Sequence, residues 1–458
     1  MGAREYPRAW LDIVGLALMS AAATPSPAQE PMANPALAVA ASSKGAVIVP
    51  ASSQKQQVPA GHRLMAHTNI RFLVPPGSNP DETPPDSGFA YETPASLACH
   101  YSLVADAAGL APGCNPNVTT TDVTGGSWRI AIVDAYADPS ATSDLTAFSV
   151  QFGLPLATGQ FTVVQASTAA ASCTSVPPDP TGGGWEVEQS LDIEWSHAMA
   201  PNATLFLVEA CSSSDTDLQQ AILVANNLVK CKAAEIDPAT YALGKCPASS
   251  VGRGEVSMSW GGGEYYEETG ADNCAFLDDS CFTEPGVVYV ASVGDSPGVE
   301  YPGTSPNVVA AGGTTVRRSQ ITGDWVAEAP WVDGGGGTSA YEVRPGFQAG
   351  VAGAVGAARG VPDLAFDADP YTGVWVYADG YWAIVGGTSV AAPALAGIIN
   401  KASGFAVSSQ AELATIYAAA SGFRDIKSGF CGFYMGLSGA VGWDPCTGVG
   451  VVNGYAGK

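Results

Sequence analysis

Basic residues are scarce in this chain of 458 residues. Lysine and arginine together number 19, whereas aspartate and glutamate number 43, which leaves a formal net charge of −24 at pH 7. Proteins that bind nucleic acid or anionic membranes need clustered positive charge, and no such cluster occurs along the sequence. We therefore expect neither partner. An acidic chain loses its self-repulsion as the pH falls, which is compatible with work in acid.

Long apolar runs are also missing. The run Ile13–Met19 is too short to span a bilayer, and no later segment reaches the required length. Arg4 and Arg8 precede this run, and small residues follow it. The order of basic, apolar and small-residue zones predicts a secretory signal peptide over residues 1–28, and hence a secreted, extracellular protein.

The remaining chain divides by composition. Residues 29–89 are rich in alanine, proline and serine, which predicts a flexible or short pro-like N-terminal segment. Residues 90–458 are predicted to form one domain. There, apolar runs typical of buried strands alternate with helical patterns, which indicates a parallel sheet with helices on both faces. The predicted strands are 129–133, 161–164, 203–208, 256–259 and 287–291, and the predicted helices are 143–148, 188–199 and 217–228.

Cys-x-x-Cys spacings are absent, which argues against a zinc site. The chain has ten cysteines, an even number, and together with a signal peptide they indicate disulfides. Connectivity does not follow from sequence alone. Five short-range pairs suggest themselves: Cys99 with Cys114, Cys173 with Cys211, Cys231 with Cys246, Cys274 with Cys281 and Cys431 with Cys446.

One serine has the surroundings of a nucleophile. The stretch Gly386–Pro393 reads Gly-Gly-Thr-Ser-Val-Ala-Ala-Pro, which predicts a tight turn that leads into a helix. Pro393 is expected in the first helical turn, where its missing N–H does little harm. The helix N-terminus offers Ser389 free N–H groups and a positive dipole end. Its hydroxyl still needs a base to take the proton.

Histidine, the usual base, is nearly absent from the α/β region. Only His197 lies there, and a surface or core position is favoured over a catalytic one. Glu188 and Asp192, on the same predicted helix, are four residues apart and share a face. Neighbouring carboxyl groups retain a proton, so the pair can act as base and orienter in acid. Taken alone, a solvated helix face is the simpler interpretation.

A third acidic residue, Asp295, follows the predicted strand Val287–Ala291 in a glycine-containing turn. Side chains at the carboxyl end of a strand can face the site of an α/β sheet. A protonated Asp295 can donate its O–H to an oxyanion. The alternative is a turn aspartate that binds local N–H groups.

These residues, in this order, resemble the sedolisins, the serine-carboxyl peptidases with a subtilisin-like fold. The resemblance covers roughly residues 90–458 and implies a three-layer α/β sandwich with a mostly parallel sheet. It is carried by Glu188-x-x-x-Asp192, Gly294-Asp295-Ser296, Gly387-Thr388-Ser389-x-x-x-Pro393 and a C-terminal acidic loop.

The resemblance implies that Ser389 is the nucleophile, that Glu188 is the general base and that Asp192 orients it. It also implies an oxyanion hole formed by Asp295 and the backbone N–H of Ser389. Trp260 is expected to line the substrate cleft, with simple packing of its indole as the alternative.

The resemblance further implies a calcium site near the C-terminus. Carboxylate and carbonyl oxygens suit this ion. The implied ligands are the side chains of Asp425 and Asp444 and the carbonyls of Ile426, Ala440 and Gly442.

A second Gly-Gly-Thr-Ser stretch ends at Ser339, but Val343 stands where the motif has proline, so we reject this serine as nucleophile and predict a loop near the cleft. Two features depart from the family. Asp134 adds a carboxylate near the proposed pair, and we expect it to be structural while able to alter the pair's pKa. The stretch between the predicted signal and Tyr91 is short beside the long folded propeptide that sedolisins usually carry.

The sequence therefore predicts a secreted, calcium-stabilised, monomeric endopeptidase that cleaves polypeptides in acid through an acyl-enzyme on Ser389. A catalytically inactive binding protein on the same fold is the main alternative. An esterase is a third hypothesis, although Ser389 lacks the Gly-x-Ser-x-Gly elbow.

Overall fold

The computed structural model describes residues 45–76, 83–84, 91–104, 123–167, 171–181, 183–231, 253–271, 273–319, 321–402, 404, 406–433 and 435–458. The helices in this part are α1 (Pro94–His100), α2 (Ala141–Phe152), α3 (Trp185–Met199), α4 (Asp215–Lys230), α5 (Ala352–Val355), α6 (Thr388–Lys401) and α7 (Ser409–Ala418). The strands are β1 (Ala46–Ile48), β2 (His67–Thr68), β3 (Arg71–Val74), β4 (Arg129–Ala135), β5 (Phe161–Gln165), β6 (Thr204–Ala210), β7 (Gly254–Met258), β8 (Trp260–Gly261), β9 (Val287–Ser292), β10 (Val309–Arg318), β11 (Trp325–Pro330), β12 (Gly337–Val343), β13 (Ala358–Val361), β14 (Leu364–Asp367), β15 (Val374–Ala378), β16 (Tyr381–Gly386), β17 (Phe430–Cys431) and β18 (Leu437–Ser438).

The central sheet has the strand order β11-β10-β9-β7-β4-β6-β5, and β14 also pairs with β10. All its pairings are parallel except the antiparallel pairing of β10 with β11. Parallel strands are covered on both faces, so they consist of nearly continuous apolar residues, as β4 does. The predicted α/β class with a mostly parallel sheet is confirmed.

The two faces of the sheet build separate cores. Side chains alternate across a strand, so Ile132 faces one side of β4 and Val133 the other. Ile132 belongs to the core that contains Leu191 of α3 and Leu395 of α6. Val133 belongs to the core that contains Leu218 of α4. Helices therefore lie on both faces, and α3 and α6 are packed together on the same one.

A second, antiparallel sheet has the order β1-β3-β16-β15. Its strands β1 and β3 come from residues 45–76, which lie within the segment 29–89 that sequence analysis separated from the main domain. Leu73 of β3 pairs with Ile384 of β16, and Phe72 and Leu73 are buried. This part of the N-terminal segment is therefore integrated with the domain. Its partner strand β16 ends at Gly386, shortly before Ser389 in the sequence.

Three of the expected disulfides are confirmed: Cys173–Cys211, Cys274–Cys281 and Cys431–Cys446. Cys99 and Cys231 are also disulfide-bonded, and their expected partners Cys114 and Cys246 lie outside the described residues. The predicted signal peptide lies outside them as well. Among the helices of the described part, none combines the length and apolarity that crossing a membrane requires.

The helix that carries Ser389 differs from expectation in one respect. Helix α6 begins at Thr388, so Pro393 lies inside the helix and not in its first turn. Proline has no N–H, which leaves the carbonyl of Ser389, four residues earlier, without its helical partner. The Ser259 Oγ lies 3.3 Å from that carbonyl oxygen. The Ser389 carbonyl that Pro393 leaves without a helical partner thus lies beside Ser259, the residue after β7.

Candidate active site

The predicted site residues converge at the carboxyl ends of the parallel strands, where α/β sheets form their sites. Asp134 lies near the end of β4, and Asp295 follows β9. Helix α3 brings Glu188 and Asp192, and the first turn of α6 brings Ser389. All five side chains are at least nine-tenths buried.

Ser389 is held by backbone groups from two directions. Its Oγ donates to the carbonyl oxygen of Ser259 at 3.0 Å. The same Oγ accepts from the backbone N–H of Asn69 at 3.2 Å, and the N–H of Ser389 donates to the Asn69 carbonyl oxygen at 3.1 Å. Sequence analysis did not identify Asn69, because its contact with Ser389 depends on pairing between segments remote in sequence.

The carboxyl pair on α3 is not a solvated helix face, and that interpretation is wrong. Glu188 and Asp192 are both fully buried. The Asp192 Oδ1 accepts from the Ser259 hydroxyl at 2.7 Å. Neither carboxyl oxygen of Glu188 has a hydrogen bond of normal geometry, although the nearby Ser389 hydroxyl acts to lower its pKa.

A third carboxyl group, Asp134, is buried beside this pair, and neither of its oxygens has a hydrogen-bond partner. Burial raises the pKa of Asp134 to about 8. Burial, then the carboxyl groups of Asp192 and Asp134, hold the pKa of Glu188 well above its usual range. Burial and Asp134 do the same for the pKa of Asp192. These groups therefore retain protons over a wide pH range.

Asp295 is positioned by the turn that precedes α6. Its Oδ1 accepts from the Thr388 N–H at 2.7 Å and from the Thr388 hydroxyl at 2.9 Å. Its Oδ2 lies 3.6 Å from the Arg71 guanidinium. Burial raises the pKa of Asp295 to about 6, while Arg71 and the Thr388 donors limit the rise.

Gly387 is the residue that lets these groups approach. Its φ is +110°, in the region that favours glycine. A Cβ at this position would collide with the Asn69 carbonyl oxygen and would lie 2.6 Å from Asp295 Oδ2. The absence of a side chain therefore leaves a space that Asn69, Asp295 and the α6 N-terminus share.

Two other candidates have defined surroundings. The indole of Trp260 is fully buried, and its N–H donates to the Val133 carbonyl at 2.7 Å, so the side chain packs in the core. Its backbone forms β8 and pairs with Thr68. Ser339 lies in strand β12, which corrects the predicted loop, and its hydroxyl donates to Glu264.

His197 has no place among these groups. It is buried near the C-terminal end of α3, and burial lowers its pKa to about 4. Its position nine residues after Glu188 on α3 corresponds to the opposite side of an α-helix.

The predicted calcium ligands surround one C-terminal loop. The N–H of Gly442 donates to Asp425 Oδ2 at 3.0 Å, while Asp425 Oδ1 is buried without a partner. The Asp444 carboxylate accepts from Ala440, Cys446 and Thr447, and so shapes the loop.

Among the described residues, three other carboxylates lie close enough together to hold a cation. They are Asp138, Asp144 and Asp379. Sequence analysis did not identify this group, because its members come from three separate segments.

Comparison with known proteins agrees with this geometry. No protein-family model matches the chain. Kumamolisin from Bacillus sp. (strain MN-32) is 32% identical over 319 residues, which cover 62% of this chain and 52% of kumamolisin. Sedolisin from Pseudomonas sp. (strain 101) is 28% identical over 381 residues, 75% of this chain and 60% of sedolisin.

The solved structure of Pseudomonas sedolisin, a serine-carboxyl proteinase complexed with two molecules of pseudo-iodotyrostatin, matches with a TM-score of 0.57 and 25% identity. The match covers 80% of this chain and 96% of that one. The chain is therefore similar to sedolisins in both sequence and fold. It spans little more than half the length of these two curated relatives. The three-layer architecture implied by the resemblance is thereby confirmed.

The buried carboxyl groups of this chain should make its stability depend on pH. Asp134 keeps its proton in the folded chain up to about pH 8 but loses it near pH 4 when unfolded. The folded state therefore binds more protons in this range, and the free energy of unfolding should fall as the pH rises from about 4 to about 8. We expect Asp134→Asn, which stays neutral, to reduce that fall.

The measurement is the thermal unfolding midpoint between pH 4 and pH 8, in a Ser389→Ala background. Glu267→Gln, a change at an exposed carboxylate, is the control and should retain the wild-type slope. An unchanged slope in Asp134→Asn would contradict the assignment.

Proposed function

We propose that the chain is a secreted serine-carboxyl endopeptidase that hydrolyses peptide bonds in acid through an acyl-enzyme on Ser389. The observation that carries the proposal is the burial of Ser389 together with the carboxyl groups of Glu188 and Asp192, in a chain whose solved relative is a serine-carboxyl proteinase. The N-terminal order of basic, apolar and small residues supports secretion. Polypeptides are the proposed substrates, and the proposed oligomeric state is a monomer.

In the proposed reaction, the Ser389 hydroxyl turns from the Ser259 carbonyl towards Glu188, which accepts its proton. Asp192, fixed by the Ser259 hydroxyl, orients Glu188. The Oγ then bonds to the substrate carbonyl carbon, and the new oxyanion accepts from the Ser389 N–H and from protonated Asp295. The amine leaves with the proton from Glu188, and water hydrolyses the acyl-enzyme by the same steps in reverse roles.

The proposed roles of Asp295 and Glu188 set opposite limits on the pH range in which the chain is active. Asp295 can donate its O–H only while protonated, which burial favours below about pH 6. Glu188 must be able to give up its own proton before it can accept one from Ser389. The proposed activity should therefore rise and then fall with increasing pH, with the fall set by Asp295.

The first test of this function is cleavage of a denatured protein from about pH 3 to pH 8. We expect Ser389→Ala to lower kcat by at least about a thousandfold, and Glu188→Gln by about 10² to 10⁴. Ser339→Ala, in the second Gly-Gly-Thr-Ser stretch, is the matched control and should keep near wild-type activity.

A folded wild-type sample that cleaves nothing at any pH would favour the non-catalytic binding protein, and cleavage of small esters alone would favour the esterase.

The second test addresses the fall in activity on the alkaline side. Asp295→Asn keeps a hydrogen-bond donor that does not ionise, so kcat/KM should no longer fall above about pH 6, whatever its absolute level. Asp333→Asn is the control, because Asp333 is an exposed carboxylate whose pKa also responds to Arg71. If Asp295→Asn falls with pH as the wild type does, another group sets this limit.

We also propose a calcium site at the C-terminal loop, formed by the side chains of Asp425 and Asp444 and the carbonyls of Ile426, Ala440 and Gly442. The unpartnered Asp425 Oδ1 supports it, as does the close approach of the Ile426 carbonyl to Gly439, where a Cβ would lie only 2.8 Å away. When bound, calcium would supply a structural cross-link and no catalytic step.

Calcium should therefore raise the thermal midpoint. At a concentration 100 times its Kd, an ion that binds only the folded state stabilises it by about 2.7 kcal/mol. We expect Asp425→Asn to abolish the difference between calcium and chelator. Asp138→Asn, in the other carboxylate group, is the control. Loss of the calcium effect in Asp138→Asn alone would assign the ion to that group instead.

A further inference from the structure

Thr388 connects two parts of the candidate active site. It is the first residue of helix α6, directly before Ser389, and it is fully buried. Its side chain contacts the turn after β9, which contains Gly294 and Asp295. The threonine therefore joins the start of the serine-bearing helix to the turn that carries the proposed oxyanion donor.

The hydroxyl group of Thr388 has a donor on one side and an acceptor on the other. The backbone N–H of Gly294 donates to Thr388 Oγ1 at 3.2 Å. A hydroxyl has one hydrogen of its own to donate, and Oγ1 lies 2.9 Å from Asp295 Oδ1. With Gly294 as its donor, the hydroxyl has Asp295 as its acceptor.

The two carboxyl oxygens of Asp295 have different surroundings. Oδ1 accepts from the Thr388 N–H at 2.7 Å and from the Thr388 hydroxyl at 2.9 Å. Oδ2 is buried and has no hydrogen-bond partner. A proton is least favourable on an oxygen that already accepts two hydrogen bonds. The proton of neutral Asp295 therefore belongs on Oδ2.

Oδ2 faces the space beside Gly387, where a Cβ would lie only 2.6 Å from it. The Asn69 carbonyl oxygen borders the same space, and it accepts from the Ser389 N–H at 3.1 Å. An oxygen atom in this space is thus within reach of the Ser389 N–H, the second donor of the proposed oxyanion hole. A proton on Oδ2 points to the place where the oxyanion of a substrate would form.

Several charged groups act on Asp295 as well. Burial raises the pKa of Asp295 to about 6, Arg71 and then the Thr388 donors oppose the rise, and Glu300 adds to it. Asp295 in turn raises the pKa of Glu188. The hydrogen bonds from Thr388 lower the pKa of Asp295 because they stabilise its ionised form. Thr388 therefore affects both the position of the proton and the pH at which it is lost.

We propose that Thr388 is a positioning residue for the oxyanion donor, because it holds Asp295 Oδ1 as an acceptor and so keeps the acidic proton on Oδ2, directed at the oxyanion. The proposal rests on the proposed peptidase function. When Ser389 Oγ bonds to the substrate carbonyl carbon, the π electron pair of that carbonyl moves to its oxygen. This oxygen accepts from Oδ2–H and from the Ser389 N–H, while the proton stays on Asp295. Thr388 itself forms and breaks no bond.

The test is the pH dependence of kcat and kcat/KM for Thr388→Val, which keeps the shape and the N–H of threonine but lacks its hydroxyl. The alkaline fall in kcat/KM should move up by about one pH unit, since the ionised form of Asp295 loses a hydrogen bond. At lower pH, kcat should drop by about tenfold, because the donor is less firmly held. Thr388→Ala should show the same shift, and Thr388→Ser, which keeps the hydroxyl, should restore the wild-type profile.

Two controls separate positioning from packing. Thr304→Val is the same change at another fully buried threonine, whose hydroxyl has no hydrogen-bond partner among the described residues, and it should leave the profile unaltered. In an Asp295→Asn background, Thr388→Val should shift nothing, because the amide does not ionise. A shift that persists in this background would show that Thr388 acts through another group and would overturn the proposal.

The remaining outcomes distinguish this proposal from the peptidase function. If Thr388→Val and Thr388→Ala lose activity with an unchanged pH profile, or keep both kcat and profile, the positioning role is wrong and the peptidase function stands. If a folded wild-type sample cleaves no polypeptide at any pH, the peptidase function fails and the positioning role fails with it.

Discussion

The structure depends on three carboxyl groups buried together between the sheet and helix α6. Asp134, Glu188 and Asp192 have no cationic partner among the described residues that face them, and only one of their oxygens has a hydrogen bond of normal geometry. Several charges of one sign cannot coexist in a medium of low polarity, so these groups must hold protons. This constraint sets when Glu188 can accept a proton, whereas the need for a protonated Asp295 ties the proposed chemistry to acid.

Close backbone approach is the second requirement, and it links the site to the N-terminal segment. Gly387 has no side chain, so the chain at Asn69 can lie against the start of α6. The same approach brings Arg71 to Asp295, where it opposes protonation of the carboxyl group proposed to donate to the oxyanion.

Local patterns in the sequence predicted a large part of this arrangement. The spacing of Glu188 and Asp192 put both on one face of a helix, and the apolar run of β4 predicted a buried parallel strand. Both follow from periods of a few residues, which neighbouring positions define. The start of α6 was misjudged, because a proline inside a helix is accepted only where another group, here the Ser259 hydroxyl, lies beside the freed carbonyl.

The sequence by itself determined the α/β class and the order of the acidic and serine motifs, because each depends on residue type at short spacing. It only suggested the three cysteine pairs that the structure confirms. Only the tertiary structure decided that the carboxyl pair is buried and not solvated, and that Asp134 joins it. The tertiary structure alone placed Asn69 on Ser389, since that contact joins residues that are 320 positions apart in sequence. The composition of residues 45–76 does not indicate which strands they pair with, because the surface of the partner strand decides pairing of this kind.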